Sequence, residues 1–337
     1  MTTSRVFILT FLAMIAFASN SLLCRAALKQ TDIDAATFTF VRIFSGAAAL
    51  WLLTRVQRKV MVTRTAVPLA DGSETGVGFP SPPSSPKRRG DHFSLREKVR
   101  MRVLDWKDNG NWISALALFT YAAAFSFAYV DLSAGTGALL LFGAVQATMI
   151  VWGLHKGERL NAIQIVGLVV AVTGLVMLVF PGLSAPPLIG SILMLGAGVA
   201  WGIYSLRGKG VQNPASVTAG NFIRAIPFSA VVWIFFLPWA HVDLAGVGYA
   251  IISGAIASGV GYVIWYSALP GLKAASAATV QLSVPVLAAT GGILLLGESI
   301  TLRYVLASVA VLGGIALVVV TLHSQDQAAS HPGQSRS

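Results

Sequence analysis

Charge is scarce in this chain: Asp, Glu, Lys and Arg make up 11% of 337 residues. Soluble domains carry roughly 25%, so a water-soluble globule is a poor fit. Cysteine is nearly absent, and a lone Cys24 excludes an internal disulfide and a thiolate metal cluster. Acids number 13 against 24 bases. No acid and none of the five histidines falls well inside an apolar run, and Asp131 comes closest. Paired carboxylates for acid–base work, a His-rich metal site and a Ser/His/Asp set therefore have no candidates in an apolar interior. Enzyme chemistry, a bound metal and a cofactor are not expected. A carrier of organic cations also lacks its counter-charge, and a proton relay of Asp, Glu or His lacks its parts.

What the chain does have is apolar length. Hydrophobic residues make up 55% and mean hydropathy is +0.73. Runs near the ~20 residues needed to cross ~30 Å of hydrocarbon predict spans at 6–24, 35–54, 111–130, 133–154, 161–180, 187–206, 216–238, 245–268, 274–296 and 301–322. Arg5, the run Val6–Ile15 and Ala16-Phe17-Ala18 mimic a signal peptide with its cleavage site. The run continues through Leu22-Leu23, however, and a matching segment recurs later, so it is read as a retained first span. The 33 glycines suit close helix packing, with Gly198/Gly202 and Gly254/Ser258 as small-residue pairs.

The basic residues give an orientation. With the N-terminus inside, 19 bases lie on the inner side, twelve of them in 55–107, and only Arg25, Lys29 and Arg303 lie outside. Bases are retained on the cytoplasmic side, so both termini are expected there. The +11 net charge is thereby a topology signal, and nucleic acid is not an expected partner.

The chain is also internally repeated. A shift of 140 residues lays 128–179 on 268–319 without a gap, with Gly157-Glu158 on Gly297-Glu298, Ala134 on Ala274 and Gly174 on Gly314. A shift of 182 lays Phe40, Arg42 and Trp51 on Phe222, Arg224 and Trp233. A shift of 184 lays Ala16 and Ser21 on Ala200 and Ser205. Five spans per half is an odd number, so the second half enters the membrane upside down, as in many secondary transporters. The fold expected is an all-α polytopic membrane protein of ten transmembrane helices in two inverted five-helix repeats. The first repeat covers 1–180, with a basic, partly disordered cytoplasmic insert at about 56–109, and the second covers 187–322. Residues 323–337 are expected to form a disordered cytoplasmic tail. Within the insert, the Pro/Ser-rich 78–86 reads as a linker. Ser94-Leu95-Arg96-Glu97 reads as a capping box opening a basic amphipathic helix, for which a membrane-surface role and a plain solvated loop both stand.

Leu282-Ser283-Val284-Pro285-Val286 through Leu295-Leu296-Gly297-Glu298, followed by Gly313-Gly314, resembles the end of an EamA repeat of the drug/metabolite transporter superfamily. Leu154-His155-Lys156-Gly157-Glu158 and Gly174 are similar in the first half, as are Arg42 and Arg224 in the second span of each repeat. The resemblance covers the chain outside the 55–110 insert and the tail after Leu322. It implies an exporter or exchanger of amino acids or related metabolites, with a central cavity and the fifth span of each half at the periphery. Those peripheral spans are the candidate surface for a homodimer. One departure is that Pro285, expected to kink the fourth span, is Val145 in the first half.

Glu158 and Glu298 repeat, which invites a chemical role. Each also follows a glycine between two helices, and Gly157 and Gly297 suit left-handed helix stops. The carboxylate would then sit near the next helix's positive end, and Asn161 with Gln164 reads as a cap pair. The four residues are therefore taken as structural turns. Arg42 and Arg224 are the full charges well inside spans, roughly 10–12 Å along their helices, Arg42 from the outer face and Arg224 from the inner. Facing a cavity and snorkelling to the headgroups are both open for them, and in the first case they would attract a carboxylate or phosphate. The polar and aromatic candidates for a substrate cavity are Asn20, Tyr121, Gln146, Trp201, Tyr204, Trp265, Tyr266 and Gln281. The partners expected are the lipid bilayer and a small-molecule substrate. The leading function is export of a neutral or zwitterionic metabolite, with an anion carrier and a non-transporting scaffold as alternatives.

Overall fold

The structure, a computed structural model, describes residues 3–65, 110–157, 160–182, 185–208, 211, 213–272 and 280–330. The 78–86 linker, the basic helix expected after Ser94, Glu158 and the last seven residues lie outside them. Among the described residues every regular element is helical: α1 Thr3–Gln30, α2 Ala35–Thr65, α3 Trp112–Ala128, α4 Ala134–His155, α5 Ala162–Val179, α6 Leu188–Gly208, α7 Pro214–Phe236, α8 Leu244–Gly271, α9 Ser283–Leu296 and α10 Leu302–Ser330. Seven of them (α1, α2 and α4–α8) are long and apolar enough to cross a membrane. Trp112–Ala128, Ser283–Leu296 and Leu302–Val318 are shorter apolar helices.

Helix ends follow local chemistry. Asp34 Oδ1 accepts from the N–H groups of Ala36 and Thr37 at 2.9 Å each and so starts α2. Asn111 and Ser133 cap α3 and α4. Asn161 and Gln164 form a complete capping box at the head of α5. Pro214 occupies the first turn of α7 behind an Asn213 cap, where its missing N–H costs nothing. α1 runs six residues beyond its apolar stretch, to Gln30. A helix satisfies its own backbone and can leave the hydrocarbon without a break, and Arg25 and Lys29 find partners on neighbouring segments there.

Two helices are irregular. α9 begins only at Ser283, after a turn at Leu282, because Pro285 has no N–H to offer the carbonyl of Gln281. Its repeat counterpart Val145 imposes no such break, and α4 is continuous. α8 carries a π-helical stretch over Ile252–Val260. π-helical turns are rare and cluster at functional sites.

α5 lies along α10, α2 along α7, and α4 along α9. α3 packs on α6 and α7, and α8 on α1 and α2, while α6 also meets α4 and α1 meets α9. Small residues allow these approaches. A Cβ on Gly198 would meet Ala144 Cβ at 2.6 Å and one on Gly202 would meet Thr148 Cβ at 2.8 Å, so this pair seats α6 on α4. A Cβ on Gly254 would overlap Arg42 O and Ser45 Oγ, which fixes the π-helical stretch directly against α2. Large apolar side chains remain on the outside, among them Ile165, Val169 and Val176 of α5, Ile234 of α7 and Val309 of α10. An apolar outer surface of this extent is what lipid covers.

Candidate functional site: a buried guanidinium among four helices

Arg42 is 2% exposed and is the buried charged side chain among the described residues. It sits where α1, α2, α3 and α8 meet. Its Nε and Nη2 donate to Ser258 Oγ at 3.3 and 3.2 Å, and Nη2 also donates to the Tyr121 hydroxyl at 3.0 Å. The guanidinium lies 4.8 Å from the Phe125 ring centroid and 5.3 Å from that of Tyr121, a cation–π arrangement. Nη1 is buried without a hydrogen-bond partner. No described Asp or Glu is bonded to this group.

Asn20 of α1 completes the cluster. Its Nδ2 donates to the Tyr121 hydroxyl at 3.1 Å, and its Oδ1 accepts from Ser253 at 2.6 Å and Ser258 at 3.5 Å. Residues five apart stand well over 100° apart around a regular α-helix. In a π-helix, whose bonds run i→i+5, they share a face. The widened turn of α8 thus presents Ser253 and Ser258 together to Asn20 and Arg42.

Arginine stays charged at any accessible pH, so burial cannot neutralise it. A buried cation is held at a cost unless paired. Here it is met only by neutral oxygens and ring faces, with part of its donor fork unused. The arrangement is therefore one that an incoming carboxylate or phosphate oxygen would complete.

Aromatic rings connect this cluster to a cavity. Trp201 lies 4.9 Å from Tyr121, 4.7 Å from Tyr262 and 5.4 Å from Tyr204, ring centroid to centroid. Phe17 meets Tyr262 and Trp265 edge-on at 5.9 Å each. Tyr204 and Tyr266 then line a cavity of about 440 Å³ at the α6–α7 end of the bundle, shared with Asn111, Ser114, Arg207 and Asn221. Arg207 donates there to Ser114 Oγ at 3.0 Å and Asn111 Oδ1 at 3.2 Å. A smaller cavity of about 230 Å³ lies at the opposite, α9–α10 end, beside Asp131, Ser133, Glu298 and Tyr304.

Six of the eight polar and aromatic residues singled out in the sequence fall on this path: Asn20, Tyr121, Trp201, Tyr204, Trp265 and Tyr266. Gln146 and Gln281 are buried but line neither cavity. Arg42 and Arg224, alike in the repeat, have different surroundings. Arg224 is half-buried, and its Nη1 donates to Gly220 O of its own helix at 3.0 Å. Gly157 and Gly297 have φ of +94° and +63°, the left-handed region where glycine stops a helix. Glu298 differs from the expectation. Its Oε2 accepts from Ala134 N–H at the head of α4, in the other half of the chain, and its Oε1 accepts from Arg25. Ser253, Phe125 and Tyr262 carry no signal in the sequence, and Ser258 stands out there only as a small packing residue paired with Gly254. The serines look like packing residues, and only the π-helical turn, which no local pattern announces, turns both to the cluster.

Residues 188–320 match the EamA-like transporter family. An uncharacterized protein of Pseudomonas aeruginosa is 50% identical over 315 residues, 94% of each chain. The threonine/homoserine exporter RhtA of Salmonella typhimurium is 32% identical over 178 residues, covering 49% of this chain and 57% of that one. A protein crystal structure 13% identical in sequence superposes with a TM-score of 0.54, covering 95% of this chain and 99% of that one, a likeness of fold. With apolar helices that cross the bilayer several times and this family match, the chain is a multi-pass membrane transporter of the EamA type, within the drug/metabolite transporter superfamily.

Proposed function

We propose that the protein is a secondary exporter of amino acids or related small zwitterionic metabolites in a bacterial inner membrane, working by alternating access. In this reading ten helices cross the bilayer as two inverted five-helix repeats, with both termini cytoplasmic. The helix pairing supports the repeat. Renumbering every helix by five turns α3–α6 into α8–α1, α3–α7 into α8–α2 and α4–α6 into α9–α1, while α2–α7, α4–α9 and α5–α10 map onto themselves. The charge map then puts the 440 Å³ cavity on the cytoplasmic side and the Glu298 end outside.

The observation that carries the reading is the unpartnered Nη1 of Arg42 in an interior whose buried residues, among those described, include no acid. A substrate carboxylate supplies the missing acceptor. It would arrive from the cytoplasmic cavity past Tyr204 and Trp201. The partial similarity to a threonine/homoserine exporter makes threonine the first probe.

Purified protein in proteoliposomes loaded with threonine should take up labelled threonine by saturable counterflow. Absence of counterflow for threonine and for the other proteinogenic amino acids would remove the reading. One observation favours an anionic metabolite instead: Arg207 lines the cytoplasmic cavity below Arg42, and no described acid near either is placed to receive a substrate ammonium. Faster exchange of a sugar phosphate than of threonine would give that reading the lead.

A further inference from the structure

Tyr262 of α8 is 2% exposed, and its hydroxyl is buried without a hydrogen-bond partner. Its ring is held on three sides, by Trp201 at 4.7 Å and by Phe17 and Phe222 at 5.9 Å each. Trp201 also meets the Tyr121 ring at 4.9 Å, and Ser258 stands four residues before Tyr262 on α8, so Tyr262 is held beside the Arg42 cluster. An unmade hydrogen bond at a rigid, buried position calls for an explanation.

Counting donors and acceptors supplies one. The Tyr121 oxygen already accepts from Asn20 Nδ2 and Arg42 Nη2. Ser258 Oγ accepts from Arg42 Nε and Nη2. Asn20 Oδ1 accepts from Ser253 and Ser258. The Tyr121, Ser258 and Asn20 oxygens are therefore taken, and the acceptors left are the neutral hydroxyl oxygens of Ser253 and Tyr262. The hydrogens that remain are both on Arg42 Nη1, one on Asn20 Nδ2, that of Tyr121 and that of Tyr262. A site whose spare donors sit on a full guanidinium charge, and whose spare acceptors are two neutral hydroxyls, fits an oxyanion and disfavours an ammonium.

We infer that Tyr262 is a specificity-determining residue whose hydroxyl, together with Arg42 Nη1, holds the substrate's carboxylate. The inference rests on the carrier reading above and deepens it, because it assigns the recognised group. The ammonium of a zwitterion then lies away from the cluster, on the side of the aromatic faces of Trp201 and Phe17, and makes no contact with the polar groups around Arg42.

Tyr262→Phe keeps the ring and removes the orphaned hydroxyl. Because that hydroxyl bonds to nothing in the empty protein, the melting temperature in detergent should be unchanged or higher. Threonine counterflow should show a KM raised about tenfold or more, the loss of one hydrogen bond to a charged group. Threoninol, which lacks the carboxylate, should not compete with threonine on the wild type. An unchanged KM, with or without a lower melting temperature, overturns the assignment and leaves the carrier reading standing. Failure of wild-type counterflow removes both. If Tyr262→Phe does not fold, the wild-type comparison decides: competition by threoninol equal to that by threonine overturns the assignment, and its absence upholds it.

Discussion

Glu298 closes one end of the bundle by accepting, through Oε2, the N–H of Ala134, 2.9 Å away and 164 residues earlier in the chain. Its other oxygen takes Arg25 Nε at 3.1 Å, and Arg25 Nη1 in turn donates to Tyr129 O and Val130 O at 2.9 and 2.7 Å. Lys29 donates to Leu296 O at 3.2 Å. One carboxylate thus caps α4 and ties α1 and the α3–α4 turn to the end of α9. A negative group at a helix N-terminus is favourable in itself. The Gly297 left-handed turn is what carries it there.

Glu298→Ala is expected to destabilise the purified protein by roughly 3 kcal/mol, since it strands a largely buried guanidinium and a helix cap at once. Glu298→Gln, which keeps an acceptor for Ala134, should lose less. Thermal melts of the three proteins in one detergent check the order. An unperturbed Glu298→Ala would mean that the tether contributes nothing.

Arg224→Gln should leave at least half of the wild-type flux. Arg224 turns back on its own helix, and carrying the 140-residue shift back to the partners of Arg42 places Gly261 and Leu118 where Tyr121 and Ser258 would be needed. The mirrored positions therefore offer no hydroxyl to match those of Tyr121 and Ser258. Counterflow in proteoliposomes measures it, and a loss as deep as that of an Arg42 variant would show that the two repeats share the work.

Gly254→Ala should lower stability by about 3 kcal/mol or more, because the added methyl lands on the α2 backbone, which cannot move aside, as well as on a serine side chain. The atoms it meets are Arg42 O and Ser45 Oγ. Folded yield and melting temperature report it. A mild effect would mean that the π-helical stretch can slide off α2.

Much of this architecture was legible because apolar length and Gly-Glu turns are local signals. The Asn161–Gln164 capping box was readable for the same reason. The environment of Arg42 was not. Whether an arginine a few turns into a helix snorkels or is buried depends on what the other helices bring. Here its partners Tyr121 and Ser258 are 79 and 216 residues away. The partner of Glu298 was misplaced for a like reason. The nearest helix start in sequence is that of α10, but tertiary packing brings it the start of α4. Gln146 and Gln281 stood out because a mid-span amide needs a partner. That argument establishes a hydrogen bond and does not locate a cavity.

Deleting residues 60–105 should leave counterflow intact, since the insert has no equivalent in the second repeat. Loss of flux with normal folding would favour the scaffold reading, or a regulatory insert.

Equilibrium binding of labelled threonine to detergent-purified protein, wild type against Arg42→Gln, tests the central claim most directly. The guanidinium is a buried cation without an acidic partner, so its removal should leave the melting temperature unchanged or raise it. Binding should fall at least about tenfold, the value of one charge-assisted contact. Equal binding by a stable Arg42→Gln protein would contradict the assignment of this cluster as the carboxylate site.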